Sequence, residues 1–346
     1  MGNFLPAPIT EKHTQRGEGN GVTFALSSMQ GWRMTMEDSH VTPLAPTELP
    51  PGVSVFAVFD GHGGQLTAQL AAEELTSHFA KTMKASAVFN GKDGEADPAK
   101  IGDAMNDAYM ALDEYIKDVH TREYGDDQSG CTAISALLTS THIIVANSGD
   151  SRSVLATNRS TTIEMSYDHK PVNPGERARI ERAGGVVRSN RVNGDLAVSR
   201  ALGDFSYKDR PDMKAEEQKV SAKPDIKVHK LDGTEEFLVL ACDGIWDVMT
   251  NEELCAYVRK LMRDGETDLG LVAEEVIDYC LRAGSRDNMS IIVVKFPNAE
   301  VGEGGGVKAI RAERERLDAE AKAAGEGEVD DDLAQAGLTF TPAKSS

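Results

Sequence analysis

An apolar run passes directly into a glycine-rich turn in Val53-Ser54-Val55-Phe56-Ala57-Val58-Phe59-Asp60-Gly61-His62-Gly63-Gly64. The run is rich in β-branched and aromatic residues, and a Pro-Pro-Gly segment precedes it. Such a run, bounded by turn residues, is typical of a buried strand. Asp60 therefore stands at the end of a rigid element, and the sequence predicts that its carboxylate points into a site.

Two further apolar runs carry an aspartate at one end. The run 237–242 is followed by Asp243, and Asp287 precedes the run 289–294. A single Asp-Gly pair at a strand end is usually only a turn. Aspartates at the ends of several strands instead indicate one shared cluster. Because crowded carboxylates repel each other, we expect this cluster to hold oxygen-preferring cations such as Mg²⁺ or Mn²⁺.

Composition limits the class of protein. The chain has 346 residues with 40% hydrophobic content, which is enough for a substantial core. Its 37 basic and 56 acidic side chains give a net charge of -19, which argues against nucleic acid as a partner. No apolar stretch approaches the ~20 residues that span a bilayer, and there is no secretory signal. We expect a soluble protein of the cytoplasm, with the nucleus as a further location.

The four cysteines lie in apolar surroundings without paired spacing: Cys131, Cys242, Cys255 and Cys280. Buried, reduced thiols are therefore predicted, in preference to zinc ligands or disulfides. Cys280 lies six positions before Arg286, a spacing that also occurs in thiol phosphatases. That chemistry needs a thiolate in a phosphate-binding loop that opens a helix, whereas Cys280 falls near the end of a predicted helix.

Blocks of helical and strand periodicity alternate along the chain. Helices are predicted from Leu66 to Phe79 and over 101–119, 252–263 and 269–281. Short strands joined by tight turns are predicted over 131–138, 142–146 and 153–156, which implies antiparallel pairing. Helix pairs around such strands favour a layered α+β domain over a doubly wound parallel sheet.

Several segments match the motifs of one known family in its chain order. They are 27–33 (SSMQGWR), 36–38 (MED), 59–64 (FDGHGG), 129–133 (SGCTA), 146–152 (ANSGDSR), 168–171 (DHKP), 196–204 (LAVSRALGD), 243–247 (DGIWD) and 285–290 (SRDNMS). With these blocks the chain resembles the metal-dependent type 2C serine/threonine protein phosphatases, the PPM family. The departures are small: Cys131 stands where serine is common, and 213–219 resemble a polar insertion.

The resemblance implies a fold and a domain division. The expected architecture is a four-layer α/β/β/α sandwich, with two packed antiparallel sheets flanked by helices. Residues 22–298 would form the catalytic domain, after an N-terminal extension over 1–21. The acidic tail over 299–346 is expected to be partly helical or disordered, since 307–324 has few large apolar residues.

The resemblance also assigns acidic residues to a binuclear metal centre. Glu37, Asp60 and the Gly61 carbonyl would hold one Mg²⁺ or Mn²⁺ ion. Asp60, Asp243 and Asp287 would hold the other. Two cations about 3.5 to 4 Å apart can deprotonate a bridging water and neutralise phosphoryl oxygens. The implied reaction is hydrolysis of phosphoserine and phosphothreonine monoesters by a water or hydroxide that bridges the cations, without a covalent phosphoenzyme.

Two further acidic residues belong to this scheme. Asp38 would support the centre through bound water. Asp150 resembles the residue that holds a third, weaker ion together with Asp243. An aspartate at this position fits a turn cap equally well.

Arg33 and His62 would act on the substrate. The planar fork of Arg33 can hold two phosphate oxygens, although most single arginines form surface ion pairs. His62 adjoins Asp60 and could protonate the departing serine oxygen as a general acid. A structural or metal-ligating histidine is the alternative, but hard divalent cations prefer oxygen.

The expected partners are phosphorylated proteins, and the expected state is a monomer. A basic flap over 168–190, with Lys170 and Arg179 among its cations, would suit acidic phosphopeptides, and a solvated charged helix is the alternative. Gly2 fits a myristoylation site in part, but Pro6 departs from the pattern. Acylation of Gly2 would give only weak membrane association.

Two alternative functions remain open. They are a catalytically weak, pseudophosphatase-like binding module and a metal-dependent nuclease.

Overall fold

Sheets and helices occupy most of the computed structural model, which describes residues 4–89, 96–125 and 127–324. The strands are β1 (Phe4–Gly19), β2 (Val22–Arg33), β3 (Ser39–Val41), β4 (Ser54–Phe59), β5 (Gly61–His62), β6 (Gly130–Cys131), β7 (Ala133–Leu138), β8 (His142–Ser148), β9 (Arg152–Thr157), β10 (Thr162–Glu164), β11 (Val187–Arg188), β12 (Arg191–Val192), β13 (Leu202–Gly203), β14 (Asp225–Lys230), β15 (Glu235–Ala241) and β16 (Met289–Lys295). The helices are α1 (Leu66–Ala85), α2 (Pro98–Glu123), α3 (Pro174–Arg182), α4 (Asp243–Trp246), α5 (Asn251–Arg263), α6 (Leu269–Arg282) and α7 (Gly306–Ala324), with 3-10 turns over Phe205–Tyr207 and Ala215–Glu217.

Two large antiparallel sheets form the centre of the fold. The six-stranded sheet has the order β1-β2-β16-β15-β9-β10, and the five-stranded sheet has the order β14-β8-β7-β4-β3. Buried side chains such as Leu26 and Ile292 from the first sheet pack against Phe56 and Val145 from the second. Helices α5 and α6 cover the outer face of the six-stranded sheet, and α1 and α2 cover the other. The predicted four-layer α+β sandwich is confirmed.

The apolar run 53–59 does not alternate between polar and apolar residues, and strand β4 shows the reason. All of its residues are buried. Phe56 and Val58 face the core between the sheets, whereas Val55, Ala57 and Phe59 face helices α1 and α2. A strand that is covered on both faces requires apolar residues at every position. Its rigidity fixes Asp60, which follows directly.

Strand β1 lies within the segment that the sequence analysis treated as an N-terminal extension, to which it assigned no strand. The strand pairs with β2 along the edge of the six-stranded sheet, and most of its side chains are exposed or half-buried. Lys12 and Arg16 form ion pairs of 2.6 Å with Asp278 and Asp268. An edge strand of this kind carries polar residues, so its sequence lacks the apolar alternation that marks an internal strand.

Helix α7 occupies the first part of the predicted tail and packs on the domain. Val307 is buried, and Ile310 packs against the same apolar core. Arg311 donates to the fully buried Glu275 over 2.7 Å, and Arg314 also contacts this carboxylate. The helix has few apolar residues, as the sequence indicated, and buried ion pairs supplement them.

Several sequence-based expectations lie outside the described residues. They concern Gly2 and the acidic tail beyond residue 324. In the described part of the chain, no helix is both long and apolar enough to cross a membrane.

Candidate active site

Three strand ends bring aspartates together where the two large sheets meet. Asp60 follows β4 of the five-stranded sheet, whereas Asp243 follows β15 and Asp287 precedes β16 of the six-stranded sheet. Burial, together with the negative charges of Asp243, Asp38, Asp287 and Asp150, raises the pKa of Asp60 well above its usual range. The carboxylates predicted to cluster therefore lie within electrostatic reach of one another.

Asp243 experiences the same environment. Its pKa is raised first by burial, and then by the charges of Asp150, Asp247 and Asp287, while Lys170 opposes this shift. Asp247 lies in the same turn as Asp243 and was not selected from the sequence. The spacing of four residues, one turn of a short helix, is the signal that points to it.

Asp38 lies behind the cluster and is largely buried. Ser290 Oγ donates to its Oδ2 over 2.6 Å, whereas Oδ1 has no hydrogen-bond partner among the described residues. Burial raises the pKa of this carboxyl to about 7, against the opposing effect of the Ser290 hydrogen bond. An orphaned carboxylate oxygen of this kind has room for a further partner, such as a water or an ion.

Glu37 and Gly61 make close contact at the entrance to the cluster. A Cβ on Gly61 would collide with the Glu37 carbonyl oxygen, so the approach requires glycine. The two oxygens of the Glu37 carboxylate accept from Thr35 Oγ1 at 2.8 Å and from the Gly64 N–H at 3.2 Å. These hydrogen bonds fix the carboxylate beside the end of β4.

Asn288 holds this entrance segment against β16. Its Nδ2 donates to the carbonyls of Gln30 and Thr35 at 2.9 Å, and its Oδ1 accepts from the Glu37 N–H at 2.9 Å. Asn288 belongs to a motif that was matched in the sequence, but it had no predicted role. Its position directly after Asp287 was the available signal.

Arg33 and His62 lie beside the carboxylates. The guanidinium of Arg33 is half exposed and contacts the carboxylate of Asp287. The Nε2–H of His62 donates to Asp204 Oδ2 over 2.7 Å. Burial disfavours the charged imidazole, but the Asp204 carboxylate outweighs this effect and raises the pKa of His62. Asp204 was part of a matched motif and had no predicted role.

Two cations of the basic flap form ion pairs with acidic groups of the fold. Lys170 contacts the carboxylate of Asp150, which is buried. Arg179 is also buried, where it donates to Glu176 over 2.6 Å and to the Gln218 carbonyl over 3.0 Å. Lys170 and Arg179 are therefore paired within the fold, because the nearby acidic groups Asp150 and Glu176 neutralise them.

Known proteins resemble this chain over most of its length. A profile of the Protein phosphatase 2C family matches residues 22–289. Protein phosphatase 1A of Homo sapiens is 44% identical over 305 residues, covering 86% of this chain and 77% of that protein. Protein phosphatase 1B of Rattus norvegicus is 44% identical over 305 residues, covering 86% and 76%. A phosphatase structure from a pathogenic strain of Toxoplasma gondii has 28% identity and a TM-score of 0.69, covering 85% and 98%.

The chain belongs to the protein phosphatase 2C family. It is a serine/threonine protein phosphatase, and its substrates are phosphoproteins. Members of the family depend on Mg²⁺ or Mn²⁺. The pseudophosphatase alternative is not favoured, because the matched relatives are phosphatases and the chain carries every residue that the family resemblance assigned to metal binding.

The oxygen-rich cluster fits the hard cations on which protein phosphatase 2C enzymes depend. Its candidate ligands are carboxylates and one carbonyl, which suit Mg²⁺ and Mn²⁺. The Sγ of Cys242 also lies within 4.8 Å of ligand atoms of Asp38 and Asp60. Burial, and then the charge of Asp38, raises the pKa of Cys242 well above its usual range, so the thiol stays protonated and is a poor ligand.

The thiol-phosphatase alternative does not fit the structure. Cys280 is buried within helix α6, two residues before the helix ends at Arg282. Burial raises the pKa of its thiol, which disfavours the nucleophilic thiolate. A phosphate-binding loop would instead present an exposed thiolate at the start of a helix.

Proposed function

We propose that the carboxylate cluster is a binuclear centre at which water attacks phosphoserine and phosphothreonine monoesters directly, without a covalent phosphoenzyme. One observation carries this proposal: the ends of β4, β15 and β16 bring Asp60, Asp243 and Asp287 together, where burial and the charges of Asp243 and Asp287 raise the pKa of Asp60. Such concentrated negative charge is stable mainly beside bound cations. When bound, two divalent cations would neutralise phosphate charge and make water more acidic.

The proposed ligand sets are those that the family resemblance implies. Glu37, Asp60 and the Gly61 carbonyl would hold one ion, and Asp60, Asp243 and Asp287 would hold the other. Asp60 is suited to both sets because it follows a buried strand and has two oxygens to share.

The outer parts of the centre have separate proposed roles. Asp38 would accept a hydrogen bond from a water of the centre through its unpartnered Oδ1. A third, weaker ion would use Asp150 and Asp243. Because Lys170 contacts Asp150, this ion would compete with the lysine for the carboxylate.

Arg33 and His62 would handle the phosphate and the departing oxygen. The half-exposed fork of Arg33 can bind two phosphate oxygens and orient the group for in-line attack. His62 would donate a proton to the serine or threonine oxygen as it leaves. Its contact with Asp287 would keep the guanidinium of Arg33 beside the metal centre, where the phosphate binds.

We also propose a monomer of the cytoplasm and nucleus with a catalytic domain over 22–298. The buried, unpaired cysteines suit a reducing compartment. The last strand ends at Lys295, near the proposed boundary. Acylation of Gly2 would add weak membrane association.

The test of the proposed function is metal-dependent activity on phosphopeptides. We expect hydrolysis of phosphoserine and phosphothreonine peptides with Mg²⁺ or Mn²⁺, little hydrolysis of phosphotyrosine peptides, and loss of activity with chelator. Readdition of Mn²⁺ should restore the rate. Thiol alkylation and Cys280→Ser should leave most activity intact, because the thiol is buried and protonated. Chelator-resistant activity that is lost in Cys280→Ser would select the thiol mechanism instead.

Arg33→Ala is expected to raise KM for phosphopeptides roughly 10- to 100-fold, since charge-assisted hydrogen bonds to the phosphate are lost. Its affinity for Mn²⁺ should stay close to that of the parent, because the guanidinium is itself a cation and ligates no metal. The KM of Arg33→Lys should lie between those of the parent and Arg33→Ala, since lysine keeps the charge without the planar fork. Arg122→Ala, which changes an exposed arginine paired with Glu123, is the matched control. A large loss of Mn²⁺ affinity in Arg33→Ala would contradict the assignment.

A further inference from the structure

A small antiparallel sheet brings His62 and Asp204 together from distant parts of the chain. Strand β6 pairs with β5 on one side and with β13 on the other. In this register Gly130 lies opposite both His62 and Gly203. Asp204 follows β13 directly, so its carboxylate reaches Nε2 of His62 at 2.7 Å.

The glycine between the two partners permits this hydrogen bond. A Cβ on Gly130 would collide with the Asp204 carboxylate and lie 2.6 Å from His62 Nε2. The side chain of Asp204 is 5% exposed and that of His62 is 31% exposed. The hydrogen bond is therefore shielded on the Asp204 side, while the imidazole keeps an open face.

Asp204 is itself held by backbone and side-chain contacts. Its backbone adopts the left-handed region, with φ of 52°, and its N–H donates to the Ser129 carbonyl over 3.2 Å. The N–H of the preceding Gly203 donates to Asp113 Oδ1 over 2.8 Å. Lys208 bonds both oxygens of Asp113 at 2.7 Å, and both side chains of this pair are about nine-tenths buried.

We propose that Asp204 is a positioning residue for His62, and that the buried Asp113–Lys208 pair holds Asp204 in place. Asp204 accepts the Nε2–H hydrogen bond, so Nδ1 is the ring nitrogen that remains for the departing oxygen of the substrate. The inference rests on the proposed function, because it assumes that His62 donates a proton. It adds a residue that acts through His62 and touches neither the phosphate nor a proposed metal ligand.

The test uses the leaving group to isolate proton donation. Asp204→Asn removes the charge, and asparagine tolerates the left-handed backbone. Asp204→Gly removes the side chain and also tolerates that backbone. For both variants we expect kcat on phosphopeptides to fall roughly 10- to 10³-fold, with KM and Mn²⁺ affinity close to the parent and most of the p-nitrophenyl phosphate rate retained.

Double variants and a remote variant sharpen the test. Because Asp204 acts through His62, Asp204→Asn should add little to the loss in His62→Gln. Asp113→Asn should give a smaller loss with the same dependence on the leaving group. Asp209→Asn, which changes an exposed aspartate of the same segment, is the control and should leave the rates unchanged.

Three results would overturn the inference while leaving the proposed function intact. They are an active Asp204→Asn enzyme with unchanged rates, equal losses on both substrates, and additive losses with His62→Gln. Failure of the proposed function would look different, because the parent enzyme would then lack metal-dependent activity. If Asp204→Asn is poorly folded, Asp204→Gly and Asp113→Asn test the inference by the same ratio of the rates on phosphopeptide and p-nitrophenyl phosphate.

Discussion

Asp60→Asn and Asp243→Asn are each expected to lower kcat/KM for phosphopeptides by roughly 10³-fold or more. Cation-based charge stabilisation in the transition state contributes several kcal/mol, and loss of about 4 kcal/mol corresponds to this factor. Each substitution replaces a proposed anionic ligand by a neutral amide of the same shape. Isothermal titration with Mn²⁺ should show weakened binding in both variants, and Asp287→Asn should behave in the same way.

The same substitutions should have the opposite effect on the stability of the metal-free protein. Burial and the neighbouring carboxylates raise the pKa of Asp60 and of Asp243, so ionisation of each group at neutral pH opposes folding. The neutral amide removes this repulsion. In the presence of chelator we therefore expect Asp60→Asn and Asp243→Asn to unfold at a higher temperature than the parent, whereas saturating Mn²⁺ should stabilise the parent more than either variant.

Asp212→Asn provides the matched control for charge removal. Asp212 is exposed and paired with Arg210, so its replacement should change neither turnover nor Mn²⁺ affinity. The cluster assignment would be wrong if Asp60→Asn, Asp243→Asn and Asp287→Asn all bound Mn²⁺ like the parent. Lower thermal stability of the variants in chelator would mean that the carboxylates do not destabilise the metal-free fold.

Local sequence patterns marked the main strands and the central carboxylates, whereas the four-layer architecture was predicted from the family resemblance. Strand β4 is covered on both faces, and its unbroken apolar run marks both the strand and the position of Asp60. Asp243 and Asp287 adjoin similar runs in β15 and β16. Strand β1 left no such pattern, because an exposed edge needs few apolar side chains.

The roles of other site residues depend on partners that are distant in sequence. Asp204 meets His62 across 142 positions, and Asn288 meets Glu37 across 251. No local periodicity reports such contacts. Lys170 was interpreted as a cation available to substrate for the same reason, because its partner Asp150 lies 20 positions earlier in the chain.

His62→Gln is expected to slow phosphopeptide hydrolysis by roughly 10² to 10⁴, the usual contribution of general acid catalysis. A serine or threonine alkoxide is strongly basic and leaves slowly unless it is protonated. The p-nitrophenolate ion is stable without a proton, because its charge is delocalised, so the p-nitrophenyl phosphate rate should be largely retained. The measurement is the ratio of the steady-state rates on phosphopeptide and on p-nitrophenyl phosphate. In a series of substituted phenyl phosphates, the rate of the variant should depend more steeply on the pKa of the leaving group than the rate of the parent.

The control for this experiment is His142→Gln, because His142 lies on β8 and its ring bonds to the adjacent Thr141. Its two rates should match those of the parent. Glutamine keeps a polar side chain near Asp204, so a selective loss in His62→Gln would report the missing proton donor and not a cavity. Equal losses on both substrates, together with reduced Mn²⁺ affinity, would instead mean that His62 positions the metal ligands. The hydrogen bond from His62 to Asp204 favours the first result, since it turns the Nε2 edge of the imidazole towards Asp204 and leaves Nδ1 for the substrate.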